Sequence, residues 1–179
     1  MRKLFFGVEI PAPIKSRLLK VRAEVPGARW QTFAQMHLTL LFLGNVEDER
    51  VLAVREAACR ISLTAFELQV AGLGCFGRPC APRILWAGVQ PAAPVASLHS
   101  ALKSEMAQLG FTPESRAFRP HITLSRFKHR PGSIESLLAE YEGAAFGAFR
   151  VERFVLFESV QRAGGSVYPV IARFAGKIP

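Results

Sequence analysis

Long hydrophobic runs are missing from this sequence, and with them the roughly 18 to 20 apolar residues that a membrane-spanning helix needs. The apolar start, Leu4 to Val8, is broken by Glu9. That is too short for the apolar core of a secretory signal, about 7 to 15 residues, and it is expected as a first strand. Cysteine is scarce: Cys59, Cys75 and Cys80 form an odd set with no CxxC pair. This supports neither a disulfide framework nor a zinc site, and a reducing cytoplasmic setting is expected. Low-complexity stretches and linkers are absent, so residues 1–179 are expected to form a single domain. Acid is in short supply too, with 14 Asp and Glu against 23 Lys and Arg, giving a net charge of +9.

What is present is material for a core. Half of the residues are hydrophobic and 14 are Phe, which excludes global disorder. A basic excess on a small folded domain points to an anionic partner, nucleic acid first, with solubility as the alternative use of the charge. The apolar patterning predicts strands over Leu4–Ile10, His37–Leu43, Phe66–Val70, Ile84–Val89 and Ala117–Phe127. Helical spacing predicts helices after Pro11-Ala12-Pro13 (Ile14, Leu18, Val21), after an N-cap at Asn45 (Val51, Val54, Ala58, Ile61), over Val95–Leu109 up to Gly110, and around Ile134–Tyr141. The stretch Gly27–Phe33 reads as a connector, and Gly72–Pro82 as the loop of a long hairpin. Val151–Val160 and Val167–Phe174 read as a closing hairpin turning at Gly164-Gly165. Paired hairpins do not fit a parallel sheet, so the expected class is α+β with mostly antiparallel strands.

One motif occurs twice: His37-Leu38-Thr39-Leu40 and His121-Ile122-Thr123-Leu124. On a strand, successive side chains point to opposite faces, so each His shares a face with its Thr, about 6.5 to 7 Å away. Simple alternation places Leu38, Leu40 and Phe42 on the inward face. Two imidazoles titrating near neutrality can divide a phosphodiester cleavage between them, one taking a proton from the attacking water and the other giving one to the departing oxygen. A threonine hydroxyl can hydrogen-bond a phosphoryl oxygen. His37, Thr39, His121 and Thr123 are therefore the candidate catalytic residues. Either motif alone would suit an ordinary strand. The repeat is what points to a site.

Arg116, Arg119, Arg126, Lys128 and Arg130 surround the second motif without an intervening acid, and Arg119 and Arg126 are the candidate substrate-binding residues for a phosphate. Alternation puts Arg119 on the His121 face and Arg126 on the opposite one, unless an irregularity, for which Pro120 is a candidate, changes the parity. Phe5, Phe6, Phe42 and Trp86 could stack a base but are expected in the core. Trp30 is a weaker candidate for a cleft rim. His99 and His129 lack a Thr two residues on and are expected at the surface. No carboxylate lies at ligand spacing beside either motif, so neither a metal nor a cofactor is expected.

With these residues the sequence resembles the 2H phosphoesterases, and within them the RNA 2′,3′-cyclic phosphodiesterases once called 2′-5′ RNA ligases. The resemblance spans nearly the whole chain: Leu4-Phe5-Phe6-Gly7-Val8, the first motif with Phe42-Leu43-Gly44, Pro82 to Gly88, Arg119 to Leu124 with Arg126, then Glu158-Ser159 and Tyr168. It implies a bilobal α+β fold, with two mostly antiparallel sheets facing across a central cleft, helices outside, and one motif from each pseudo-symmetric lobe. It implies metal-independent opening of RNA 2′,3′-cyclic phosphate ends to 2′-phosphates, with His37 as acid, His121 as base, and Thr39 and Thr123 holding the phosphate. It also implies that the reaction can reverse as 2′-5′ ligation. In the family pattern Arg126 binds phosphate, against the parity argued above. The expected partner is RNA with a cyclic phosphate end, tRNA fragments among the options, met by a monomer. The rival readings are a 2H enzyme acting on a small cyclic nucleotide phosphate, and an RNA-binding module with little catalysis.

Overall fold

The structure is a computed structural model that describes residues 1–112 and 114–176. Strands β1 (Arg2–Glu9), β3 (His37–Val46), β4 (Phe66–Arg78), β5 (Ala81–Gln90), β6 (His121–Phe127), β7 (Ala145–Val151), β8 (Arg153–Glu158) and β11 (Val170–Ala175) form one curled sheet. Its order is β11-β8-β1-β3-β6-β5-β4-β7, and β2 (Ala28–Trp30) adds to β6. Every pairing is antiparallel. A separate hairpin joins β9 (Val160–Arg162) to β10 (Gly165–Val167). The α+β class is as expected from the sequence. The two expected sheets, however, are joined into one through a register pair at the centre, Leu38 opposite Ile122.

Among the described residues four α-helices flank the sheet: α1 (Ala12–Leu19), α2 (Val51–Cys59), α3 (Ala92–Gln108) and α4 (Glu135–Glu140). Pro11 begins α1, where a missing N–H costs nothing. Two helices cross to the half of the sheet they do not come from. α1 follows β1 but packs on β7, where Arg17 Nη1 donates to the Phe146 carbonyl at 2.9 Å. α3 follows β5 but packs on β3. The core lies between helices and sheet, built around Leu4, Phe6, Leu18, Leu38, Leu68, Leu85, Leu102 and Ile122, each no more than 1% exposed.

Several local expectations need correction. Asn45 does not cap a helix. β3 continues to Val46 because Lys3 pairs with Asn45, and a 3₁₀ turn over Asp48–Arg50 leads into α2. The loop expected over Gly72–Pro82 is mostly strand, with Gly74 opposite Trp86 and Gly77 opposite Pro82, leaving a tight turn at Pro79-Cys80. Here the glycines serve cross-strand contact, since a Cβ on Gly74 would occupy the space of the Trp86 indole. Strand β7 has no counterpart among the expected strands, Ala117–Pro120 is irregular, and the Gly27–Phe33 connector contains β2. The closing segment does turn near Gly164-Gly165, but its long strands β8 and β11 pair with each other outside the small β9–β10 hairpin.

Candidate active site

The central strands β3 and β6 carry the two motifs, and both break the simple alternation in the same way. On β3, Thr39 lies opposite Gly7 and Leu41 opposite Phe6, so Leu40 is an extra residue. On β6, Thr123 lies opposite Trp86 and Ser125 opposite Leu85, so Leu124 is the extra one. Each is a β-bulge, which adds one residue and reverses the facing of everything beyond it. Leu40 and Leu41 are consequently both buried, as are Leu124 and Ser125. The residues that re-emerge on the His/Thr face are Phe42 and Arg126. The functional frame is therefore six residues long: His37 to Phe42 and His121 to Arg126.

This corrects two expectations. Phe42 is not in the core. It is 45% exposed and lines the cleft. Arg126 shares the cleft with His121 and Thr123, so the parity argument from the sequence fails. The irregularity lies at Leu124-Ser125 rather than at Pro120.

The cleft encloses about 910 Å³ and brings His37, Thr39, His121, Thr123, Arg119 and Arg126 together along its walls. Both histidines are oriented alike. His37 Nδ1 is 2.7 Å from the Gln35 carbonyl, and His121 Nδ1 is 2.7 Å from the Arg119 carbonyl. A carbonyl only accepts, so each Nδ1 carries the proton and each Nε2 is the free basic nitrogen. His37 Nε2 lies 3.1 Å from Thr39 Oγ1, which donates to it. Gln35 is itself fixed. Its Oε1 accepts from Thr32 N at 3.0 Å, and its Nε2 donates to the Ser166 carbonyl at 2.8 Å. Gln35 is not among the residues singled out from the sequence, although Thr32 and Gln35 have the capping-box spacing that marks such a turn.

The two imidazoles differ in enclosure. Phe5 and Tyr168 each approach His37 with ring centroids 4.9 Å away, and Phe157 lies at 5.8 Å. Burial therefore pushes His37 down to about 4 from 6.5. Arg126, Lys15 and His121 repel its proton further, while the Gln35 carbonyl pulls the other way. His121 has Phe76 edge-on at 4.9 Å and Trp86 at 6.2 Å. Its pKa is lowered by burial, opposed by the Arg119 carbonyl, and lowered further by Arg126. Both imidazoles are therefore neutral at neutral pH.

The remaining candidates separate cleanly. Phe5 and Phe6 are core residues, as expected, although the Phe5 ring also backs His37. Trp86 is half-buried and packs beside His121. Trp30 packs against the core and donates to the Ala23 carbonyl at 3.1 Å, so it does not line the cleft. Arg116 is paired with Glu114 at 2.8 Å, which removes part of the expected free charge. His129 is exposed, as expected. His99 is half-buried rather than fully at the surface as expected. It lines the cleft, and its Nδ1 donates to the Leu40 carbonyl. Ser159 and Tyr168 also reach the cleft.

No three His, Cys, Asp or Glu side chains come together as a metal-binding group among the described residues. No helix among them is long and apolar enough to cross a membrane.

The family model of the 2′-5′ RNA ligase superfamily matches residues 10–163. The RNA 2′,3′-cyclic phosphodiesterase of Escherichia coli K12 is 31% identical over 178 residues, covering 97% of this chain and 96% of that one. The enzyme of the same name from Thermotoga maritima is 29% identical over 175 residues, covering 94% and 92%. Among solved structures, a protein of Thermus thermophilus superposes with a TM-score of 0.84 at 26% identity, over 99% of this chain and 100% of that one. E. coli LigT complexed with 3′-AMP gives 0.80 at 28% identity, over 99% of each. A model match over most of the chain, joined to the doubled histidine frame in one cleft, means that the chain belongs to the 2′-5′ RNA ligase superfamily of 2H phosphoesterases.

Proposed function

We propose that this protein hydrolyses RNA 2′,3′-cyclic phosphate ends to 2′-phosphates without a metal. The observation that carries the reading is the pair of Nδ1-anchored imidazoles, His37 and His121, facing one cleft beside Arg126. The names and near full-length likeness of the relatives support the substrate class.

The cyclic phosphate sits between the histidines, its charge opposite the Arg126 guanidinium, with Arg119 at the rim and the hydroxyls of Thr39 and Thr123 on its non-bridging oxygens. His121 Nε2 takes a proton from water as the water oxygen bonds to phosphorus. The bond from phosphorus to the 3′ oxygen breaks, and His37 Nε2, protonated from solvent when the anionic phosphate binds, delivers a proton to that oxygen. One water is consumed and the proton count balances. With the 5′ hydroxyl of a second RNA end in place of water, the same steps form a 2′-5′ link and free the 3′ hydroxyl; run backwards, they cleave that link to the cyclic phosphate. A monomer suffices, because one chain supplies both frames, each in its own lobe. A tRNA fragment with a cyclic end fits the chemistry as well as any other RNA.

The test is turnover of a nucleoside 2′,3′-cyclic phosphate and of a short RNA bearing one, both in EDTA. Formation of 2′-phosphate by the wild type, with losses of about 10²-fold or more in kcat in His37→Ala and in His121→Ala, is the expected result. Salt-sensitive RNA binding without turnover would instead favour a binding module.

A further inference from the structure

The bulges that give each frame its six-residue form leave a carbonyl turned out of the strand ladder, and the two carbonyls are satisfied differently. The Leu124 carbonyl accepts from the backbone N–H of Gln31, just beyond β2, at 2.8 Å. Among the described residues, no strand lies alongside the first frame in the equivalent place. There the Leu40 carbonyl accepts from a side chain, His99 Nδ1, at 2.6 Å. Leu40 is 1% exposed, so in the folded protein His99, rather than bulk water, serves its carbonyl.

His99 has a second contact. Its ring lies flat on Phe118, with centroids 4.1 Å apart and planes within 1°. Phe118 directly precedes Arg119, whose carbonyl holds the Nδ1 proton of His121. One imidazole on α3 thus touches the bulge after Thr39 on one side. On the other it touches the irregular segment that sets the tautomer of His121.

We propose that His99 is a positioning residue that clamps the two histidine frames to each other, acting on the first through the Leu40 carbonyl and on the second through Phe118 and Arg119. It takes no proton in the reaction and need not touch the substrate. The proposal rests on His37 and His121 being the acid–base pair. Pre-positioning of this kind is worth a large factor in rate, because small misplacements of reacting groups are costly.

The experiment is ¹⁵N NMR of the imidazoles in wild type, His99→Ala and Phe118→Leu, together with kcat and KM on a nucleoside cyclic phosphate. In the wild type, both His37 and His121 show the Nδ1–H tautomer alone. In Phe118→Leu, which replaces no residue of α3 or β3, His121 becomes a mixture of tautomers while His37, anchored by Gln35, does not change. In His99→Ala the same signature appears, with kcat down about tenfold and KM within about twofold. A single Nδ1–H tautomer of His121 in both folded variants overturns the proposal. The NMR readout needs no turnover, so a protein inactive on cyclic phosphates would refute the proposed function and still decide this point. If His99→Ala does not fold, Phe118→Leu decides alone.

Discussion

The pKa of His37 offers the sharpest quantitative test of the site. Depressed to about 4, the imidazole is almost wholly neutral at pH 7, yet the proposed reaction needs it as an acid. The substrate supplies the difference. One negative charge about 4 Å from the ring, at an effective dielectric near 20, is worth about 4 kcal/mol. At roughly 1.4 kcal/mol per pH unit, that lifts the pKa by about three units, to near neutrality. The expected outcome of an NMR titration of His37 is therefore a midpoint near 4 in phosphate-free buffer, moving to roughly 7 with saturating inorganic phosphate. Arg126→Gln removes a repelling charge and should raise the phosphate-free midpoint. The same depression affects stability. Between pH 6.5 and about 4 the unfolded chain binds a proton at His37 that the folded chain refuses, so stability rises with pH across that window. The contribution is complete above the unfolded pKa and is lost on acidification, at most about 3 kcal/mol. A His37 midpoint near the ordinary 6.5 in phosphate-free buffer, or one that phosphate leaves unmoved, would refute the reasoning.

The bulges and their neighbours carry further expectations. Arg126→Ala should lower kcat/KM by about 10²-fold, with Arg126→Lys recovering part of it, because an ammonium restores the charge but not the planar fork. The comparison is made by steady-state kinetics under one salt condition. Ser125 is fully buried and its Oγ has no partner among the described residues, so Ser125→Ala should be neutral or stabilising by about 1 kcal/mol, read as a rise in Tm. Gly74→Ala should destabilise by about 1 to 3 kcal/mol, because the added methyl needs the space of the Trp86 indole. It should also reduce activity through the displaced Trp86–His121 contact.

Much of the site is legible in the sequence, and the part that is not has a specific cause. The doubled His-x-Thr pattern identifies the central strands β3 and β6, and strand periodicity correctly places each His with its Thr. Periodicity then fails one residue later, at both copies. A bulge has no signature in the residues it displaces: Leu40-Leu41 looks like any apolar pair, and Leu124-Ser125 looks like the end of a strand. Alternation alone therefore sends Phe42 to the core and Arg126 to the far face. The long β4–β5 hairpin reads as too short for a related reason. Gly72, Gly74 and Gly77 suggest a loop in isolation, and only the partner strand, with Trp86 lying over Gly74, shows why glycine is needed there. His99 passes for a surface residue because its role depends on α3 crossing to β3, a contact no local pattern encodes.

The two bulges also account for how one repeated frame can serve an asymmetric reaction. Both deliver a His, a Thr and a sixth residue to the cleft, but the sixth residue differs. In the second frame it is a guanidinium, which attracts phosphate and weakens the hold of nearby imidazoles on a proton, as suits a neutral base at His121. In the first frame it is the Phe42 ring, stacked on Phe5 with planes within 12°, and Phe5 in turn packs against His37. Aromatic enclosure holds His37 uncharged at neutral pH, and in the proposed mechanism a bound phosphate then charges it. A second arginine in place of Phe42 would oppose that recharging. The frames are thus chemically unlike, and the proposed assignment of the acid to His37 and the base to His121 draws on that asymmetry, which the motifs alone, being identical in type, do not contain.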